Sequence, residues 1–127
     1  MKKQIILTLC LSALVALPII AWKSSYWSQT TINITEVDSI VISPHFKPDS
    51  LSRKLSDAQA KQFTEDWNDA KSIGPCKYAP KYFLSVYLAD GTQRGFRVNG
   101  KTIKEKTDYG FQMKKEDYFE KLWENAK

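Results

Sequence analysis

Three patterns in this 127-residue sequence predict an α+β fold: an antiparallel sheet of three to five strands, built as a β-meander, with two helices packed on one face and a membrane-directing helix ahead of it. Asp90-Gly91 and Asn99-Gly100 are two-residue hairpin signals lying between segments whose apolar residues alternate with period two. Ser56 and Gln59 have capping-box spacing ahead of an apolar stripe at helical spacing. Ile5 to Trp22 carries no charge over 18 residues and follows Lys2 and Lys3, the order of a targeting segment.

As a helix that segment reaches roughly 27 Å, close to the hydrocarbon thickness of a bilayer. It serves as a signal anchor or as a cleavable signal peptide. Cleavage after Ala21 would put Ile19 where a small residue is favoured. Trp22, Tyr26 and Trp27 stand just past the apolar run, where aromatic rings prefer the headgroup layer, and this favours an anchor whose N-terminus stays in the cytoplasm. Lipid modification at Cys10 fits poorly, because the bulky Leu9 precedes it. Residues 1–22 are therefore read as membrane-directing, 23–30 as a polar linker and 31–127 as a single domain, since about 105 residues allow one core and not two. The expected location is extracytoplasmic: tethered to the membrane through residues 5–22, or secreted or periplasmic if cut near Ala21.

Within the domain, Ile32, Ile34, Ile40 and Ile42 alternate with polar neighbours from Thr31 to Ser43, as one strand or as two bent near Val37-Asp38-Ser39. Pro44 and Pro48 end it in a loop. A helix is expected from Asp57 to about Lys71, capped by Ser56, with Leu55 packing back onto Ala60 and a stripe of Ala60, Phe63, Trp67 and Ala70. Gly74 and Pro75 close that region. Lys81 to Ala89 is a central strand with Tyr82, Leu84, Val86 and Leu88 on one face and Phe83, Ser85 and Tyr87 on the other. Thr92 to Val98 and Lys101 to Lys106 continue the meander, with a fourth strand at Tyr109 to Met113. Phe119, Leu122 and Trp123 mark a terminal helix within Lys114 to Ala126.

Cys10 and Cys76 fall on opposite sides of the membrane boundary, so the domain has no intrachain disulfide and Cys76 is a solitary, reactive-thiol candidate. One histidine and one domain cysteine do not make a zinc motif. Asp66-Trp67-Asn68-Asp69 lies inside the expected helix and lacks the glycine and distal glutamate of a calcium loop. Gly95 to Gly100 lacks the lysine of a phosphate-binding loop. The carboxylates ride on helix faces, where pairs such as Asp57/Lys61 and Asp117/Lys121 account for them. No catalytic residue, metal or cofactor is assigned on these grounds.

Charge is unevenly spread. Lys61 stands against Asp57, Glu65, Asp66 and Asp69 in the helix, whereas Lys71 to Met113 is predominantly basic. Arg94, Arg97, Lys101, Lys104 and Lys106 fall on two adjacent strands and form the principal candidate binding set, reading either as edge protection or as a surface for an anionic partner. Tyr78 and Tyr82, beside Pro75 and Pro80, form a second candidate surface. The expected function is a small extracytoplasmic binding module acting by protein–protein interaction as inhibitor, immunity partner or accessory subunit. Its partner is a protein with an acidic surface rather than nucleic acid or metal. The alternatives are a thiol-dependent enzyme using Cys76 with His45, and a membrane-tethered spacer.

Overall fold

The computed structural model describes residues 29–46 and 51–126, so the N-terminal apolar segment lies outside the described residues. Among the described residues no helix is long and apolar enough to cross a membrane. A 3-10 turn, Ile34–Glu36, leads into strand β1 (Val37–Pro44), followed by β2 (Arg53–Lys54), helix α1 (Asp57–Asn68), β3 (Lys71–Pro75), β4 (Tyr82–Leu88), β5 (Gln93–Asn99), β6 (Thr102–Lys104), β7 (Tyr109–Gln112) and helix α2 (Tyr118–Asn125). The strands form one seven-stranded sheet in the order β2-β1-β4-β5-β6-β7-β3, with every neighbouring pair antiparallel.

The fold is therefore α+β as expected, and the sheet is larger than three to five strands. The additions are the two edges. β2 is two residues long and pairs only with β1, too short for an alternation to register. β3 begins at Lys71, where the expected helix ends, and occupies the stretch that reads as the helix stop. Its one large apolar side chain, Ile73, is exposed, and a bulge between Ser72 and Gly74 breaks its pairing with β7. Gly74 takes φ +81 and Pro75 needs no ladder hydrogen bond at the strand end, so the pair that reads as a helix stop also serves an edge strand.

Helix α1 starts as predicted. The Ser56 side chain accepts from Gln59 N, and the Gln59 side chain accepts from Ser56 N. It stops early because residues 29–32 intervene. Gln29 Nε2 donates to the carbonyls of Trp67 (2.9 Å) and Asn68 (2.7 Å), Trp67 Nε1 donates to Thr30 O, and the Asn68 side chain holds both Ile32 N and Ile32 O. Gln29 and Thr30, read in sequence as the end of a linker, are thus bonded to the helix terminus. Helix α2 is shorter than its apolar spacing suggested, because Asp117 sits in the left-handed region at φ 52 and the helix begins after it.

Register assigns the faces. Ile42, Leu84 and Phe96 form one cross-strand row, and Tyr82, Val98, Ile103 and Phe111 another. Both helices cover this inner face: Trp67 lies edge-on to Phe96 and Phe111 at 5.1 and 5.3 Å, and Trp123 stacks on Tyr82 at 5.6 Å. Trp67, Phe63, Phe96 and Phe119 are fully buried there. Each such side chain contributes on the order of 2 kcal/mol of apolar burial. The opposite, outer face carries the rows Ser43–Phe83–Arg97–Lys104, Val41–Ser85–Gly95 and Tyr87–Gln93.

Candidate functional site

The outer face divides at β5. Over β5, β6 and β7 the chain itself lies across the strands, because the link from the edge strand β3 to the central β4 must pass over them. This strap, residues 76–80, is fixed at four points. Cys76 N donates to Asp108 O at 2.8 Å. The Cys76 Sγ fills the space above Gly110, where a β-carbon would come within 2.3 Å of it. The Tyr78 hydroxyl donates to Arg97 O at 2.8 Å, and Asn99 Nδ2 donates to Ala79 O at 3.0 Å.

Beneath the strap Lys104 is only 2 % exposed. Its Nζ donates to Cys76 O (3.3 Å) and Asp108 Oδ1 (3.2 Å) and lies 4.2 Å from the Tyr78 ring centroid. A buried ammonium needs such partners, since desolvation without them costs several kcal/mol. The hydrogen bond from Lys104 holds the Asp108 carboxyl below the usual carboxylate range, and burial pushes the Tyr78 hydroxyl up.

Over β1, β4 and the first half of β5 no described residue of the strap or the helices lies across the sheet. Ser43, Ser85 and Gly95 give a floor of small side chains between Phe83, Tyr87 and Arg97, making a depression of about 580 Å³. A β-carbon at Gly95 would meet nothing within 4 Å, so this floor is open. The His45 ring packs on Phe83 at 4.9 Å, and Tyr87 is 39 % exposed. Lys54 shares this face through its pairing with Val41. Arg97 lines the depression, while its guanidinium is held toward the β6–β7 connection, where Nη2 donates to Thr107 O at 2.8 Å and Nη1 lies 3.7 Å from Asp108 Oδ1. The only carboxylate on the lining, Glu105, is already bonded through both oxygens to Arg94, at 2.7 and 2.9 Å. The depression offers aromatic and aliphatic contact area, hydroxyls, and cations at its margin.

The basic residues singled out in sequence do not form one surface. Arg94 lies on the inner-face side, where besides Glu105 it donates to Thr30 O and Thr31 O. Lys104 is buried under the strap, Lys101 is paired with Glu116, and Lys106 is exposed on the β6–β7 connection. Only Arg97 reaches the depression. Tyr78 and Tyr82 do not share a surface either: Tyr78 anchors the strap, while Tyr82 is a core residue stacked on Trp123. Cys76 lies over β7 and His45 follows β1, with β4, β5 and β6 between, so the structure does not bring the thiol and imidazole together. Among the described residues no group of three or more His, Cys, Asp or Glu side chains is placed to hold a metal ion.

The sequence pattern did contain the residues that line the depression. Alternation along β4 put Phe83, Ser85 and Tyr87 on its second face, and two aromatic side chains on the face opposite the core are the signal. Comparison with protein-family models, with curated proteins and with solved structures gives no match.

Proposed function

We propose that the protein is a small extracytoplasmic binding module that docks a protein partner on the open half of its outer sheet face, as an inhibitor, immunity partner or accessory subunit. The observation that carries this reading is the aromatic-walled depression between Phe83 and Tyr87, which neither helix covers. Hot spots in protein interfaces concentrate on buried aromatic and arginine side chains ringed by polar groups. Phe83, Tyr87 and Arg97 around a serine-and-glycine floor have that composition. Glu105 is neutralised by Arg94, and Asp108 is shared between Arg97 and Lys104, so with Lys54 the face keeps a net positive charge and the complementary surface is acidic around a small apolar plug.

The test is capture from an envelope extract by the immobilised domain, compared with its Tyr87→Asp and Arg97→Glu variants. The expected result is a stoichiometric partner whose retention falls at least tenfold with either variant and weakens from low to physiological salt. Lys71→Glu, on the far edge strand, should retain it. Equal capture by all four proteins, or none by the wild type, would remove this face as the docking site.

A further inference from the structure

The sequence holds five glycines, and four of them have a structural reason to be glycine. Gly74, Gly91 and Gly100 take positive φ, and Gly110 lies under the Cys76 Sγ, where a β-carbon does not fit. Gly95 has neither reason: its φ is not positive, and a β-carbon on it would meet nothing within 4 Å. It is exposed inside β5 and pairs with Ser85 of the central strand. Glycine suits such a position poorly, because it loses the most conformational freedom on folding and packs no side chain against its neighbours. Neither backbone conformation nor crowding among the described residues calls for it.

Register shows what the missing side chain leaves. Lys54, Val41, Ser85 and Gly95 form one row across β2, β1, β4 and β5 on the outer face. Phe83 and Tyr87 stand two residues to either side of Ser85 on β4, so the row is a trough that crosses the strands between two aromatic side chains. At about 3.4 Å per residue and about 4.8 Å per strand, Phe83 and Tyr87 are roughly 13 Å apart at Cα and the row is roughly 14 Å long. An α-helix with its side chains is about 10–12 Å across, too wide once the two rings take their share, whereas an extended segment of about four residues matches the length.

We infer that Gly95 sets the specificity of the docking face: its missing side chain admits an extended segment of the partner across the strands, with an apolar side chain between Phe83 and Tyr87 and an acidic residue toward Lys54. The inference rests on the docking face proposed above and names what docks there. The acidic residue follows from charge, since Lys54 is exposed at the end of the row while Glu105 and Asp108 are already paired with Arg94, Arg97 and Lys104. The apolar side chain follows from the aromatic walls. A glycine inside a strand lets another chain come close to the sheet, and a side chain at position 95 would stand in the trough.

The probe is a displayed library of random linear peptides, selected on the full-length protein in detergent. The wild type should enrich peptides that carry Asp or Glu near one large apolar residue. Binding of those peptides should fall roughly tenfold or more in Gly95→Thr and by less in Gly95→Ala. The urea midpoint of both variants should equal or exceed that of the wild type, because the added β-carbon meets nothing in the fold. No enrichment, or enrichment without acidic residues, would overturn the acidic segment as the occupant. A midpoint that falls in both variants would show that the glycine serves the strand, and would overturn the inference as well. Tyr87→Asp separates the inference from the reading beneath it. Peptides lost with Tyr87→Asp and kept by Gly95→Thr would overturn the role of Gly95 and leave the docking face standing, whereas peptides kept by both variants would overturn the face itself.

Discussion

The two halves of the outer sheet face share strand β5 and end in different states. On the β6–β7 side the strap is laid on the strands, and the residues that suggested a binding surface serve to hold it: Lys104 ties down Cys76 O, and Arg97 O receives the Tyr78 hydroxyl. On the β1–β4 side aromatic side chains of equal size, Phe83 and Tyr87, have a floor of serine and glycine and no such cover from the strap or helices. A polar side chain that is buried and fully bonded contributes to stability, while the partly exposed aromatic side chains of the open half are the ones that the proposed docking uses. The halves should accordingly respond to different measurements, the strapped half to unfolding and the open half to binding.

The largest effect on the strapped half is expected at Gly110. A β-carbon there meets the Cys76 Sγ at 2.3 Å and two Ile73 side-chain carbons at 3.3 Å, so Gly110→Ala must lift the strap or push β3. Overpacking of this kind costs about 1–3 kcal/mol. A urea midpoint well below that of the wild type is expected, and Cys76→Ala in the same chain should recover most of the loss because it removes the nearer atom. A shortfall that persists undiminished in the double variant would place the cost in the β3 edge and not in the strap.

How much of this was legible in the sequence follows the same division. The inner face was readable because period two along β4 and β5 and helical spacing in α1 are each imposed by one continuous partner, the core. The capping box at Ser56 was readable because it is local. Edge strands were not: β2 has two residues and β3 exposes Ile73, so neither carries an alternation. The strap was invisible for a different reason. Lys104 is buried by a segment 28 residues earlier in the chain, and a lysine on a short, mostly polar strand reads as exposed unless that crossing is known. The same blindness merged Arg94 and Arg97 into one patch, although positions three apart on a strand face opposite sides, as they do in the structure. The lining of the depression was written in the second face of β4, but without the strap there was no contrast to make it stand out.

Lys104 offers a somewhat smaller perturbation of the same half. Lys104→Ala removes the hydrogen bonds to Cys76 O and Asp108 and leaves space under Tyr78. A loss of about 2 kcal/mol in urea unfolding is expected, from unmet hydrogen bonding plus lost packing. Lys104→Met, which keeps the stem, should recover about half of it, since Asp108 remains solvated and no buried charge is orphaned. Equal losses in the two variants would show that the ammonium group alone holds the strap. A substitution on the open half, Tyr87→Ser, serves as the control and should shift the midpoint by less than about 0.5 kcal/mol.

The smallest effect separates charge from packing within the strap. The Asp108 carboxyl is held below its ordinary range chiefly by the hydrogen bond from Lys104, then by that cation's charge and by Arg97. A group whose folded value is depressed contributes stability that is present above its unfolded value, about 3.9, and is lost as pH falls through the folded one. The wild type should therefore exceed Asp108→Asn slightly at pH 5 to 7, and the difference should shrink below about pH 4. Since Asp108 is largely solvent-exposed, added salt should shrink it too. The backbone bond from Cys76 N to Asp108 O survives the substitution, so the strap should remain seated throughout. A gap between the two proteins that stays constant from pH 7 to pH 3 would mean that Asp108 contributes through loop geometry, and that the strapped half is fixed by packing and neutral hydrogen bonds without help from this ion pair.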